Sequence, residues 1–433
     1  MESLLDELVA RHGAVRAPFL IDGERQLTLD DVAQVGGADL SAIAPGDVVA
    51  LVGDFDAATI RTLLRLIGLG TVVVPLTVET RHDHDYFFDA AGVDWVVEGA
   101  VSRRLRAQRL DHPLLAEMRR RAVPGLVLFS SGTTGRPKAI LHDFSRFLAR
   151  YRTPRPALRT LNFLLFDHIG GLNTLLHTLF NRGLVVVPSA RTPQAVVDDI
   201  ERHAIELLPT TPTFLRMLLM SGLLEERALP ALKVVTYGTE RMDQGTLDRL
   251  CALLPTVDFR QTYGMSELGI LRIRSRSRDS LWMEVGGEGV EWRVVDGVLQ
   301  LRAEGRMLGY LNAPSPFDAD GWYDSKDRVE QEGQWLRIVG RSSETISVGG
   351  VKFLPGEVER AALLHPEVIH AKAVGVDNPI TGQHVEITCE LKEGATATRA
   401  TLRQHFAAHL AESMRPHRIR IGKVAVGHRF KKA

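Results

Sequence analysis

Between residues 47 and 75 the sequence carries a complete strand–helix–strand unit, and this stretch restricts the fold more than any other. Asp47-Val-Val-Ala-Leu-Val-Gly53 is an unbroken apolar run closed by glycine, the pattern of a strand buried on both faces. Residues 57–69 follow with apolar side chains at helical spacing, and Thr71-Val-Val-Val-Pro75 supplies a second strand. Two such strands joined by a helix predict an open parallel sheet with helices on both faces. Runs at 123–129, 183–188 and 232–237 read as further strands, with helices over 193–203 and 212–221 between them.

The pattern changes near residue 290. Residues 290–303 alternate with period two around Asp296-Gly297, a hairpin signal. A strand at 335–339 ends at Gly340-Arg341, and beyond it come a helix at 355–364, strands at 369–376 and 385–391, and a helix at 398–412. This predicts an α/β chain. Residues 1–340 form a large N-terminal domain of mainly parallel sheets flanked by helices plus a β-rich subdomain, and 341–433 form a small α+β C-terminal domain.

Composition narrows the partners. The chain of 433 residues is 45% hydrophobic and 24% charged, which suits a globular core. Its 53 basic and 53 acidic side chains cancel, so nucleic acid is not expected as the main partner. Two cysteines, Cys251 and Cys389, make no disulfide framework and suit a reducing cytosol. The N-terminus, MESLLDELVARHG, carries acids where a signal peptide carries Lys or Arg, and no long uncharged apolar run follows. A cytoplasmic protein with no membrane span is expected.

The strongest chemical signal is Phe129-Ser-Ser-Gly-Thr-Thr-Gly-Arg-Pro-Lys138, where an apolar strand runs into hydroxyls, glycines and a lysine. Gly132 and Gly135 let backbone N–H groups approach an anion closely. Ser130, Ser131, Thr133 and Thr134 add hydroxyl donors, and Lys138 supplies a point charge for phosphate. A Walker A loop is excluded because Pro137 precedes the lysine.

At these residues the sequence resembles the adenylate-forming superfamily of acyl-CoA synthetases, peptide-synthetase adenylation domains and luciferases. Gln261-Thr-Tyr-Gly-Met-Ser-Glu267 is similar to its Tyr-Gly-x-Thr-Glu motif, with Ser266 in place of Thr. Tyr237-Gly-Thr-Glu240 resembles the segment lying against adenine. Gly309-Tyr310, Asp320-Gly-Trp322 and Asp327 resemble the run leading to the ribose-binding aspartate. Gly340-Arg341 and Gly349-Gly-Val-Lys-Phe-Leu-Pro-Gly-Glu-Val-Glu359 resemble the hinge motif and the start of a small mobile domain. These matches run in order over roughly residues 40–433.

The resemblance implies roles. Glu267 would be a hard oxygen ligand for Mg2+ on ATP phosphates. Tyr263 would offer a ring face to adenine, together with Gly238, Thr239, Glu240, Thr262 and Gly264. Asp327 would accept the ribose hydroxyls, and Arg341 would bind ribose or phosphate. His168, in Leu165-Phe-Asp-His-Ile-Gly-Gly171, matches the His beside the acid's carboxylate, with Thr210, Thr213, Tyr237, Gly238, Gly264 and Met265 as further lining candidates. In peptide-synthetase domains an Asp near this point holds a substrate ammonium; Asp167 lies one position early for that role.

Departures from the pattern are local. Ser342-Ser343-Glu344 stands where an Asp or Lys pivot is common, which puts the hinge near 342–344 with Ser343 as pivot. Counting forward from Met414-Arg-Pro416 places Lys432 at the catalytic lysine position, with Lys431 where glycine is usual. Arg272, Arg274, Arg276 and Arg278 would share one face of any strand there, either as a solvated edge or as a surface for a phosphorylated or acidic partner.

The expected activity is ATP-dependent conversion of a small carboxylic acid to an acyl-adenylate, followed by transfer to a thiol. The thiol would be CoA or the phosphopantetheine of an acyl carrier protein. A stand-alone adenylating enzyme for an amino acid or another oxyanion, and a non-catalytic nucleotide-binding regulator, are the alternatives.

Overall fold

The computed structural model describes residues 4–12, 17–130, 136–427 and 429. Among these, two seven-stranded sheets share one interior. The first runs Gly309–Tyr310, Ala139–Asp143, Gly125–Phe129, Val72–Leu76, Val48–Val52, Trp95–Glu98, Val101–Arg104. Its centre is parallel, with Val48 beside Val72 and Val49 beside Trp95. The second runs Asp258–Gln261, Val234–Tyr237, Leu207–Thr210, Arg159–Leu161, Leu184–Val186, Leu20–Asp22, Arg25–Leu27, and is parallel except at the last pair.

Strand Val48–Val52 explains why the apolar run had to be continuous. Val49 and Leu51 enter one core cluster while Val48, Ala50 and Val52 enter another on the opposite face. The first cluster is the seam between the sheets, because it also holds Leu20 and Val185 of the second sheet and helices Ala57–Gly68 and Ile169–Phe180. Asp56 caps the first of these helices by accepting from Ala58 and Thr59 N–H, satisfying donors that helix geometry leaves orphaned. Helices Pro193–Arg202, Pro212–Met220 and Gln244–Leu253 cover the outer face of the second sheet.

The β-rich part is a six-stranded antiparallel sheet in the order Arg272–Ser275, Met283–Gly286, Trp335–Arg341, Tyr323–Glu332, Val298–Ala303, Val290–Val295. The arginine-rich strand is its edge. Arg274 pairs with Glu284, Arg276 reaches Glu332 at 2.6 Å, and both guanidinium groups lie over Trp335, at 5.2 and 5.8 Å. Arg293 and Arg302 cover Trp322 in the same way, and Arg337 covers Trp282. The strand ends at Ser275, so the four arginines do not share one face: Arg278 turns back to donate to the Val257 and Leu254 carbonyls, at 2.9 and 2.6 Å.

After strand Trp335–Arg341 comes a single turn, Ser342–Glu344, with no buried side chain. The remaining α+β unit has its own core, built from Ile346, Phe353, Val358, Val385, Ile387, Leu402, Phe406 and Ile419 among others. No helix among the described residues is long and apolar enough to cross a membrane.

Candidate active site

The glycine-rich loop hangs between antiparallel strands Gly125–Phe129 and Ala139–Asp143. Its mouth is closed by two bonds: Ser130 N–H donates to the Lys138 carbonyl at 3.1 Å, and Lys138 N–H donates to Ser130 Oγ at 2.9 Å. Tyr86 and Asn312 brace one side. Both donate to the Pro137 carbonyl, at 2.6 and 3.2 Å, while Asn312 Oδ1 accepts from Ala139 N–H at 2.8 Å. Ser131, Gly132, Thr133, Thr134 and Gly135 lie outside the described residues. Lys138 projects its ammonium over the Tyr310 ring, 5.0 Å from the centroid.

Tyr310 links that lysine to Glu267. Its hydroxyl donates to Glu267 Oε1 at 2.8 Å, and burial together with this carboxylate pushes the phenol well up. Glu267 is held from behind at its backbone, whose carbonyl accepts from Met307 N–H at 2.8 Å. His142 holds the preceding residue: its Nε2 donates to the Ser266 carbonyl at 2.6 Å. Burial pushes the imidazole down to about 4, so it is neutral, and the carbonyl acceptor requires the proton on Nε2.

A second acidic centre lies beside the first. Tyr263 donates to Asp327 Oδ2 at 2.7 Å and Arg341 Nε donates to Oδ1 at 3.2 Å. Burial raises the Asp327 carboxyl, opposed by the Arg341 charge. Burial raises the phenol of Tyr323, and the Glu267 carboxylate raises it further. Tyr263, which holds Asp327, belongs to the same short motif as Glu267, and this brings the two carboxylates into one region.

The adenine-like segment leaves strand Val234–Tyr237. Gly238 is obligatory there: a Cβ would stand 2.2 Å from Thr262 Oγ1 and 2.6 Å from its carbonyl. Thr262 Oγ1 in turn donates to the Tyr237 carbonyl at 3.1 Å. Thr239 has φ +71°, a conformation costly for a β-branched residue and characteristic of functional turns. Gly264 has the same steric reason for lacking a side chain, with Gly269 O 2.5 Å from a built Cβ.

Three expected contributors have partners of their own in the fold. Glu240 accepts the Thr213 N–H at 2.7 Å through Oε1, which ties one carboxylate oxygen to the start of helix Pro212–Met220. The Tyr237 side chain is 1% exposed within the core beneath helix Gln244–Leu253; its backbone, not its ring, faces Thr262. Met265 packs against the core of the antiparallel sheet.

On the acid side, His168 is the N-cap of helix Ile169–Phe180, its Nδ1 accepting from Gly170 N–H at 3.0 Å. Gly171 allows the helix to start here, since a Cβ would meet the Leu165 carbonyl at 2.1 Å. Buried Asp167 is gripped by Arg429 at 2.9 Å. A cation of the chain itself thus occupies the place considered for a substrate ammonium. Lys431 and Lys432 lie outside the described residues.

Comparison with known proteins gives these residues a context. The family model for AMP-binding enzymes matches residues 113–311 and that for the AMP-binding enzyme C-terminal domain matches 357–425. A sulfoacetate–CoA ligase of Cupriavidus necator is 29% identical over 322 residues, 69% of this chain and 63% of that protein. A medium/long-chain-fatty-acid–[acyl-carrier-protein] ligase of Mycobacterium tuberculosis is 28% identical over 68% of this chain and 62% of its own length. The chain thus spans less than two thirds of these curated relatives. Among solved structures, ATP-bound MatB from Rhodopseudomonas palustris superposes with TM-score 0.78 at 20% identity, covering 99% of this chain and 96% of that one. The amide bond synthetase McbA from Marinactinospora thermotolerans gives 0.76 at 19% identity, covering 98% and 97%. These likenesses establish the fold, and the two family models, matched in order along one chain, establish that it belongs to the AMP-binding enzymes.

Proposed function

We propose that the chain activates a small carboxylic acid with ATP and passes the acyl group to a thiol, either CoA or the phosphopantetheine of a carrier protein. The observation that carries this reading is the linked set in which Lys138 lies over the Tyr310 ring, Tyr310 holds Glu267, and Tyr263 of the same motif as Glu267 holds Asp327. That arrangement would offer a carboxylate for a metal, a carboxylate for a sugar diol and a cation for phosphate. The names of the ligase relatives support the acid and the thiol.

A carboxylate resists attack because its leaving group would be oxide. In the reaction proposed, a carboxylate oxygen attacks the α-phosphorus of ATP, the bond to pyrophosphate breaks, and acyl-AMP forms. The thiol sulfur then attacks the acyl carbon, AMP departs with the bonding pair, and the thiol proton passes to solvent. Two anions meet in the first step, so fixed positive charge and oriented donors lower the barrier. Lys138 and the N–H groups of the loop would meet the phosphates, and Asp327 the ribose hydroxyls. The donor set fits Mg2+, because Glu267 is a hard carboxylate oriented by Tyr310; bound there, the ion would neutralise phosphate charge. Lys432 would stabilise carboxylate and α-phosphate together. Movement of residues 341–433 about Ser343 would then admit the thiol.

The Asp167–Arg429 pair argues against an amino acid, since the carboxylate best placed to hold an ammonium already has a cation. The test is pyrophosphate exchange across a panel of acids, with and without CoA. Acid-dependent exchange with CoA-dependent AMP release is expected. Nucleotide binding without any acid-dependent exchange would replace this reading with that of a nucleotide-binding regulator.

A further inference from the structure

Among the described residues, two ion pairs keep both side chains at or below 15% exposure. One, Arg216–Asp243, ties helix Pro212–Met220 to the N-cap of helix Gln244–Leu253 within a single layer. The other joins Asp167, 4% exposed, to Arg429, 14% exposed, across 262 residues of sequence. It is the one ion pair among the described residues that ties the chain beyond Arg341 back to the acid side of the large region.

This pair differs from a permanent staple. A guanidinium can grip both oxygens of a carboxylate, yet only Nη2 and Oδ2 meet here. Asp167 Oδ1 and Arg429 Nε are buried without a hydrogen-bond partner among the described residues. With both charges desolvated and, among the described residues, only part of their bonding satisfied, the contact is costly to break on one side yet of small net stabilisation. Such a contact suits an attachment that is made and released.

Its position says what it attaches. Asp167 directly precedes His168, the cap of helix Ile169–Phe180. Arg429 lies three residues before Lys432, and three residues of chain reach at most about 10 Å. The near end of the small unit has its own hold: Arg241 donates to the carbonyl of Gly356, in helix Pro355–Leu363, at 3.1 Å and to the carbonyl of Val339, in the strand before the boundary, at 3.2 Å. Arg241 secures the near end of that unit and Arg429 its far end.

We infer that the Asp167–Arg429 ion pair is a releasable latch that docks Arg429 beside His168 for adenylation, making both positioning residues for the lysines that follow Arg429 in sequence. The role in catalysis rests on the function proposed above; the docking itself does not. Trypsin reads docking directly, because cleavage after Arg429 requires that side chain to leave Asp167, and intact-mass measurement identifies loss of residues 430–433. Removing one partner of a buried pair is severe, so Asp167→Asn is expected to speed this cleavage by about tenfold or more, with cleavage at exposed Lys392 unchanged. In the same variant acid-dependent pyrophosphate exchange falls at least about tenfold, while thioester formation from supplied acyl-adenylate stays within about twofold. Arg429→Gln reproduces the kinetic split and Arg429→Lys, which keeps the charge, restores most of it; this pair also serves if Asp167→Asn fails to fold. Unchanged cleavage after Arg429 in Asp167→Asn overturns the latch. Equal loss of both half-reactions overturns the positioning role. If no acid supports exchange in the unaltered protein, the proposed function fails, and protection of Arg429 alone decides whether the latch exists.

Discussion

Replacing Glu267 by Gln separates the metal role of this residue from its structural one. The side chain is 8% exposed and its Oε1 accepts from Tyr310 at 2.8 Å. Gln keeps the shape and can turn its carbonyl oxygen towards the tyrosine, so the bond survives but loses its charge. A hydrogen bond to a charged group is worth about 1.5–3 kcal/mol and a neutral one about 0.5–1.5 kcal/mol, which leaves a loss of about 1 kcal/mol. Relief of a buried charge offsets part of that, and in a chain of this size the melting temperature should move by no more than about 2–4 °C. The functional cost is larger. The amide presents an N–H where the metal needs an anionic oxygen, and losing one such electrostatic contact in the transition state costs about 3–4 kcal/mol, a few hundred-fold in rate. The assay is acid-dependent pyrophosphate exchange over a Mg2+ titration, with melting curves run alongside. Exchange should fall by that factor and demand more Mg2+. An unchanged rate with an unchanged Mg2+ requirement would refute the metal role, and a collapse of the melting temperature would show Glu267 to be a structural residue instead.

Four further outcomes can be checked. His142, pushed down to about 4 by burial, binds its proton in the unfolded chain before the folded one, so stability must fall as pH drops from about 6.5 to about 4, at about 1.4 kcal/mol per pH unit. His142→Gln, which keeps a donor for the Ser266 carbonyl, should flatten that slope in urea titrations, and an unaltered slope would rule His142 out as its source. Asp327 has a raised carboxyl, so its burial costs stability as pH climbs above the ordinary carboxylate value; Asp327→Asn should leave the neutral-pH melting temperature equal or higher while weakening ATP by about tenfold or more by calorimetry. Gly238→Ala would force a methyl to within 2.6 Å of the Thr262 carbonyl, and equilibrium unfolding should show a loss of about 1–3 kcal/mol that Thr262→Ala does not rescue, because the backbone oxygen remains. Lys432→Ala should cut pyrophosphate exchange about a few hundred-fold and spare thioester formation from acyl-AMP, with Lys431→Ala milder in both; a larger effect at Lys431 would shift the assignment by one residue.

What the sequence disclosed and what it withheld follow from how far each interaction reaches along the chain. Val48–Val52 and Val72–Leu76 were legible because burial on two faces demands an unbroken apolar run. Strand Leu207–Thr210 carries Pro209 in the middle of a parallel sheet, and Arg159–Leu161 is three residues long; neither has a local pattern, and pairing on both sides creates them. At the site, Glu267, Tyr263 and Asp327 could be named from ordered motifs. Tyr86, His142, Asn312 and Tyr323 could not, since each acts on residues distant in sequence and a single Tyr, His or Asn carries no spacing signal. The inward turn of Tyr237 was available from period two. Val235 and Tyr237 share a face, and Val235 belongs to the core.

The arginine-capped tryptophans have an optical consequence. Four of the five indoles, Trp282, Trp292, Trp322 and Trp335, stand in or beside the six-stranded antiparallel sheet, and Trp95 is in the first parallel sheet. None follows Arg341. Intrinsic emission is therefore a local reporter. Trp322, with the Arg293 and Arg302 guanidinium groups 4.2 and 5.1 Å from its ring and next in sequence to Tyr323, should brighten or shift when nucleotide enters. Rotation or melting of the small unit would be dark unless a fluorophore were placed on it, and an unfolding curve read at the tryptophan band would describe the sheet while saying nothing about the segment that carries Arg429.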